Sequence, residues 1–187
     1  LCQKIREGDK MNYGIVAEFN PFHNGHRYIV DKLKDNGTNT VTAVMSGSFV
    51  QRGECACVSS PERVEMALKN GVDLVISLPV QYSTASAERF AGAGVDILSS
   101  LGVIDAIGFG SECGDSSLLR RCAVALSDRA VDECINRLLE TGVSYPVARE
   151  NALLQLCSEE ISRIVAQPND ILGVEYTKAV LRNGDKQ

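Results

Sequence analysis

The chain has 187 residues, of which 44% are hydrophobic and 23% are charged, and its formal net charge is −5. This is the composition of an ordinary globular domain, and the negative charge argues against a surface coated with basic residues for nucleic acid, although it leaves room for a local basic patch. No apolar run approaches the roughly 18 residues needed to span a bilayer, so no membrane-embedded segment is expected.

The first ten residues are polar and charged, and they precede Met11, which stands directly before the first predicted strand. They contain no hydrophobic signal region. We therefore predict a disordered extension over residues 1–10 and a cytoplasmic protein. The seven cysteines are scattered and odd in number, and none pairs with a second Cys or His at zinc-ligand spacing. They are interpreted as free thiols, and no metal site is predicted.

Four short apolar runs without polar alternation predict buried parallel strands at residues 13–17, 41–45, 74–78 and, more weakly, 106–109. Helix patterns separate them, at residues 24–36, 61–70 and 85–101, and a glycine follows each helix as a stop signal. This alternation predicts an α/β fold with a doubly wound, Rossmann-like parallel sheet over residues 11–114. Ligands of such sheets bind beyond the carboxyl ends of the strands, where the loop after the first strand should lie.

From Asp115 onward the strand pattern stops. Four helices are predicted at residues 116–126, 128–141, 146–157 and 175–181, with Pro168 in a connecting loop. We interpret residues 115–187 as a helical segment that completes a nucleotide site and ends in a polar run.

The only two histidines of the chain, His23 and His26, lie three residues apart between the first strand and the first helix. At a helix N-terminus the free amides and the positive end of the dipole favour an anion. Two imidazole N–H donors there could grip a triphosphate and neutralise charge on a leaving diphosphate. Gly25 would let the nucleotide approach the backbone, and Pro21 would fix the turn. The alternative is one histidine that caps the helix and one that packs against the core.

The quartet H-N-G-H resembles the signature of the HIGH nucleotidyltransferase superfamily, whose members act on the α-phosphate of a nucleoside triphosphate. The longer segment 14–26 is similar to the bacterial tRNA(Met) cytidine acetate ligases in particular. Four further similar segments follow in the same order, at residues 44–54, 71–79, 109–112 and 168–176. Together they cover about residues 11–180.

This resemblance implies an ATP-dependent ligase that forms acetyl-adenylate from acetate and ATP. The acetyl group would then pass to N4 of the wobble cytidine of elongator tRNA(Met), with AMP and diphosphate as products and Mg²⁺ accompanying ATP. His23 and His26 would be the catalytic pair. ATP contacts are implied for one continuous segment and two later residues: Val16, Ala17, Glu18, Phe19, Asn20, Pro21, Phe22, His23, Asn24, Gly25, His26, Arg27, Tyr28, Ile29, Gly110 and Asn169.

Three of these positions have simpler interpretations. Gly110 stands after the fourth strand, where a side chain would obstruct the nucleotide, but it could equally be a turn glycine. Asn169 could bind the nucleotide or close an Asx turn. Glu18 could bind Mg²⁺ or a ribose hydroxyl, or it could make a hydrogen bond at the end of the strand.

The segment after the second strand is rich in small and polar residues, and we hypothesise that part of it lies near the acetate or the phosphates. An arginine suits a carboxylate, although a solvated loop would have the same composition. The residues are Ser46, Gly47, Gln51 and Arg52.

The sequence departs from the family in length. The family is roughly twice as long, and the C-terminal half that helps to hold the tRNA is missing, together with an I-S-x-S-x-x-R-like segment whose arginine contacts the triphosphate. Two other functions therefore stay open. One is a small-molecule adenylyltransferase of the same superfamily, acting on pantetheine phosphate or nicotinamide mononucleotide, and the other is a non-catalytic nucleotide-binding protein.

Overall fold

The computed structural model describes residues 10–34, 37 and 39–184. The extension predicted over residues 1–10 therefore lies outside the described residues, except for Lys10, and so does the end of the polar run at 185–187. The described residues form two compact units, one reaching to Phe109 and including 181–184, the other Gly110–Val180. The domain limits set out above, with a boundary between residues 114 and 115, stay a prediction.

The described part of the first unit contains a parallel sheet of four strands in the order β3-β2-β1-β4. The strands are β1 Asn12–Ala17, β2 Thr40–Ser46, β3 Leu74–Leu78 and β4 Ala106–Ile107. The three long strands match the predicted runs to within a residue, and β4 is shorter than predicted. Because the chain adds β2 and β3 on one side of β1 and then crosses to place β4 on the other, the strand order reverses beside β1, where sheets of this type bind ligands.

Helices cover both faces of this sheet, as the alternation of side chains along β1 requires. On one face, Ile15 packs in a core with Val30 and Ala67, which belong to α1 (Asn24–Leu33) and α2 (Ser60–Lys69). On the other face, Gly94 of α4 (Ala87–Ser100) lies against Val16. The doubly wound α/β fold is confirmed. The helix predicted at residues 85–101 is preceded by a separate short helix, α3 (Val80–Ser83).

The second unit is helical in its described residues. It contains α5 (Ser116–Ala125), α6 (Arg129–Glu140), α7 (Tyr145–Leu156), α8 (Glu159–Ile164) and the first part of α9 (Pro168–Gly184). The prediction of four helices was wrong here. The short helix α8 was missed, and α9 begins at Pro168 instead of residue 175, because proline suits the first helical position, where its missing N–H costs no hydrogen bond.

Within the described parts of the chain, no helix is both long and apolar enough to cross a membrane.

Candidate functional site

The first turn of α1 is capped by the two histidines acting on each other. His23 is the N-cap residue, with extended backbone, and its Nδ1 accepts a hydrogen bond from the Gly25 N–H at 3.1 Å. His26 Nδ1 accepts in turn from the His23 N–H at 3.3 Å. This is a capping box in which imidazole nitrogens take the places usually held by hydroxyl and carboxylate oxygens.

The cap determines which ring nitrogen carries the proton. A neutral imidazole has one acceptor and one donor nitrogen, and since Nδ1 accepts in both rings, Nε2 must be the donor in both. The rings of His23 and His26 stack with their centroids 3.7 Å apart. Two Nε2–H donors therefore stand together at a helix N-terminus, which already favours an anion.

His26 is neutral at physiological pH. Its ring is half-buried against Phe19 and Phe22, at centroid distances of 5.0 and 5.5 Å. Burial, and then the charge of His23, lower the pKa of His26 from 6.5 to about 4. The capping and packing functions of the alternative interpretation are thus both present. Neither the cap nor the packing uses the Nε2–H donor of either ring.

Gly25 is needed by the cap itself. A Cβ at this position would lie 3.0 Å from Cε1 and 3.1 Å from Nδ1 of His23, which is tighter than ordinary contact. The glycine therefore leaves room for the His23 ring, which sequence reasoning did not anticipate. Of the other residues assigned to ATP in α1, Asn24, Arg27 and Tyr28 are exposed and Ile29 is half-buried.

The first loop (residues 18–23) connects β1 to α1 and binds the second loop (residues 47–59), which connects β2 to α2. Glu18 Oε1 accepts from the Gln51 N–H at 2.7 Å, and Asn20 Oδ1 accepts from the Cys57 N–H at 2.7 Å. The Asn20–Pro21 peptide is cis. Glu18 therefore makes the strand-end hydrogen bond of its simpler interpretation. Its contact with ATP or a metal stays a prediction.

The stretch predicted to lie near acetate contains two unsatisfied polar groups. Ser46 Oγ and Gln51 Nε2 are buried, and neither has a hydrogen-bond partner among the described residues. Buried polar atoms of this kind call for a ligand or a water molecule. Gly47 is half-buried, whereas Arg52 is exposed and has a left-handed backbone with φ of 67°.

Arg63 is the residue that sequence reasoning missed. This arginine of α2 has no exposed surface, and its guanidinium donates to backbone carbonyls of both loops. One signal was available in the sequence, because Arg63 lies four residues before Ala67 and hence on the buried face of the helix.

In the second unit, Asn169 belongs to a network at the start of α9. Glu112 Oε1 accepts from both the backbone N–H and the Nδ2 of Asn169, at 3.2 and 2.8 Å. Asp170 accepts in return from Ser111 Oγ at 2.6 Å and from the Glu112 N–H at 2.9 Å. Burial of Asp170 opposes its ionisation, but these hydrogen bonds outweigh burial and hold the pKa of Asp170 below its ordinary value. Gly110, an exposed residue, begins this unit.

No group of three or more His, Cys, Asp or Glu side chains that could hold a metal ion occurs within the described ranges.

Residues 11–186 match the sequence model of the HIGH Nucleotidyl Transferase family. The chain belongs to this family.

Within the HIGH nucleotidyl transferase family, the similar relatives include two named tRNA(Met) cytidine acetate ligase. The one from Caldicellulosiruptor saccharolyticus is 48% identical over 176 residues, covering 92% of this chain and 43% of the relative. The one from Caldanaerobacter subterraneus subsp. tengcongensis is 48% identical over 171 residues, covering 89% of this chain and 43% of the relative. The chain thus spans less than half the length of these curated relatives.

A solved structure of Thermotoga maritima TmcAL, bound with alpha-thio ATP, is also similar. It superposes with a TM-score of 0.87 at 39% sequence identity, covering 93% of this chain and 44% of that protein. At this level of identity the shared fold extends over nearly the whole of this chain.

Proposed function

We propose that this chain is the adenylate-forming part of an ATP-dependent tRNA(Met) cytidine acetate ligase. The proposal rests on the turn from His23 to His26, called here the histidine turn. Its two Nε2–H donors belong to stacked rings at the N-terminus of α1, beyond the carboxyl end of β1. The relatives with that name and the ATP-analogue complex of the Thermotoga maritima protein support it.

In the proposed reaction the triphosphate of ATP lies against the N-terminus of α1. A carboxylate oxygen of acetate attacks the α-phosphorus, the bond to the bridging oxygen of the β-phosphate breaks, and diphosphate leaves. His23 and His26 donate from Nε2 to the oxygens on which negative charge accumulates. The neutral His26 has a further capacity, because a nearby anion raises the pKa of an imidazole and favours proton uptake.

The second step transfers the acetyl group. N4 of the wobble cytidine of elongator tRNA(Met) attacks the carbonyl carbon of acetyl-adenylate, the bond to the AMP oxygen breaks, and the amine loses a proton. We place the reaction in the cytoplasm, because the enzyme would meet its tRNA substrate there.

The remaining ATP contacts are proposed for residues 16–29, Gly110 and Asn169. The network of the second unit gives Asn169 a defined orientation, because its Nδ2 donates to Glu112. Its Oδ1 is then the atom offered to the nucleotide, as an acceptor for the adenine amino group or a ribose hydroxyl. Mg²⁺ would accompany ATP. The described residues offer it no cluster of three side-chain ligands, so phosphate oxygens and water would supply most of its coordination.

For acetate, we propose the stretch that begins at the end of β2. Ser46 Oγ and Gln51 Nε2 are buried donors without a partner among the described residues, and a carboxylate is an acceptor that could satisfy both. Gly47 leaves room beside them, and the exposed Arg52 provides a positive charge suited to a carboxylate.

The test is ATP–diphosphate exchange by the intact protein that carries this chain, with acetate as the added acid. We expect acetate-dependent exchange that falls by a factor of about 100 or more in His26→Ala, the usual loss when one transition-state donor is removed. Lys32→Ala, in the last turn of the same helix, is the matched control and should exchange at the wild-type rate.

Two results would replace the proposal. Adenylyl transfer to pantetheine phosphate or nicotinamide mononucleotide, without acetate-dependent exchange, would make the protein a small-molecule adenylyltransferase. ATP binding without exchange for any of these substrates would make it a non-catalytic nucleotide-binding protein.

A further inference from the structure

The guanidinium of Arg63 is a buried charge. The side chain has 0% relative exposure, and burying a charge is costly unless its donors are satisfied. Burial lowers the pKa of Arg63, and the nearby Cys57 and Glu18 oppose that effect. Since arginine stays protonated in proteins, a full positive charge lies beneath the loops that follow β1 and β2.

Arg63 uses its donors on three different segments of backbone. Nη1 donates to the carbonyl of Glu18 in the first loop at 2.5 Å, and Nη2 donates to the carbonyl of Gly47 at the start of the second loop. Nε donates to the carbonyl of Val58, near the end of the second loop, at 3.0 Å. One planar group thus holds the start of the first loop and both ends of the second, which the compact ammonium of a lysine could not reproduce.

These loops contain the two non-glycine residues with positive φ in the described chain, Phe19 with φ of 47° and Arg52 with φ of 67°. Such backbone persists only where the surroundings enforce it, and it tends to occur at functional sites. Phe19 directly follows Glu18, whose carbonyl Arg63 holds. Arg52 directly follows Gln51, whose N–H is held by the carboxylate of Glu18.

We propose that Arg63 is a positioning residue for the adenylate-forming reaction. By joining the two loops it keeps the histidine turn and the stretch from Ser46 to Arg52 in the geometry that ATP and acetate require. Arg63 does not touch the substrates. The proposal rests on the proposed function, because it assigns these two loops to the two substrates of that reaction.

The deciding variant is Arg63→Lys in the intact protein, compared with Leu98→Ala as a matched control. Leu98 is also fully buried, but it lies in α4 on the opposite face of the sheet. Its loss should lower stability without changing either loop. Both proteins are compared at the same interval below their melting temperatures.

The first readout, hydrogen exchange, is independent of activity. The amides of Gln51 and Cys57 donate to the first loop, and we expect them to exchange at least about 10-fold faster in Arg63→Lys than in Leu98→Ala. Equal protection in the two variants would show that Arg63 does not hold the loops together, and the proposal would fail.

The second readout is acetate-dependent ATP–diphosphate exchange. We expect kcat to fall by about 10- to 100-fold in Arg63→Lys, as misplacement of reacting groups by about 1 Å does, while Leu98→Ala keeps the wild-type kcat. Loss of amide protection with an unchanged kcat would make Arg63 a structural anchor only, which overturns the proposal.

The two proposals fail in different ways. If the wild-type protein shows no acetate-dependent exchange, the ligase function fails, and the amide comparison still decides whether Arg63 joins the loops. If Arg63→Lys does not fold, Arg63→Gln is the second variant. Failure of both to fold would show that Arg63 is required for folding and not specifically for positioning.

Discussion

Each imidazole of the histidine turn uses only one of its two nitrogens in the helix cap. Nδ1 of His23 and of His26 accepts from the backbone and caps α1, which leaves Nε2 of both rings as a donor. An ionised aspartate cap would satisfy the helix but would offer no donor beyond it. The two interpretations of the H-N-G-H quartet, a helix cap and a phosphate-binding site, are therefore compatible, because they use different nitrogens of each ring.

The lowered pKa of His26 predicts a pH dependence of stability. Between pH 6.5 and about 4 the unfolded chain binds a proton at His26 that the folded chain does not, so the free energy of unfolding rises with pH in this window. The stabilisation is present above pH 6.5 and is lost as the pH falls towards 4. His26→Asn keeps an acceptor for the His23 N–H but does not titrate.

Urea unfolding at pH 7 and pH 4.5 measures this effect. Between the two pH values we expect the free energy of unfolding of the wild-type protein to fall by about 1–2 kcal/mol more than that of His26→Asn. This is less than the full pKa shift implies, because the ring is only half-buried. Equal losses in the two proteins would mean that His26 titrates normally in the folded state.

At the scale of elements, α4 approaches the sheet through glycines. A Cβ at Gly94 would lie 2.6 Å from both methyl carbons of Val16, and one at Gly14 would lie 2.8 Å from Leu98. These residues face each other across the contact between α4 and β1. The backbones of α4 and β1 therefore approach each other more closely than a Cβ at Gly94 or Gly14 would allow.

Gly94→Ala should destabilise the protein by about 1–3 kcal/mol through overpacking. Val16→Ala removes the two methyl groups that the new Cβ would meet. Gly94→Ala should therefore lower the free energy of unfolding much less in the Val16→Ala background than in the wild type. Chemical denaturation of both single variants and the double variant measures this coupling.

Gly92→Ala, in the same helix, is the control for Gly94→Ala. Among the described residues, its Cβ would meet only the side chain of Arg182, at 3.6 Å, so the change should be neutral or slightly stabilising because alanine favours helix. Strictly additive effects of Val16→Ala and Gly94→Ala would contradict the packing argument.

The whole chain carries a net charge of −5 and spans 43% of the relatives named above. Binding to nucleic acid draws much of its affinity from cationic side chains that neutralise phosphates. The groups that the proposed function assigns to ATP are local and do not depend on net charge. Nucleotide binding and tRNA binding should therefore be separable in this chain.

We expect the 187-residue chain alone to bind ATP but to retain no tRNA in a filter-binding assay at about 150 mM salt, where long-range attraction is screened. Calorimetry with ATP serves as the positive control, since it shows that the chain is folded and competent. Retention of tRNA at this salt concentration would place a phosphate-binding surface within these residues.

The amino-acid sequence by itself determined the α/β class, the three long strands, the first helices and the family. It could do so because hydrophobic periodicity, helix caps and the H-N-G-H quartet are local patterns. Its errors were also local. The six residues of α8 are too few to show a helical period, and Pro168 reads as a loop residue unless its place in the helix is known.

Only the tertiary structure decided how the loops are held. Arg63 bonds carbonyls 16 and 45 positions away, and Glu112 bonds Asn169 across 57 positions. No periodicity links residues at such separations, because folding alone brings them together. The lowered pKa of His26 also needed the structure, because its main cause is burial of the ring, and the sequence does not show how deeply that ring is buried. The sequence thus identified the two histidines, and the fold determined their tautomers, the lowered pKa of His26 and the arrangement of the loops beside them.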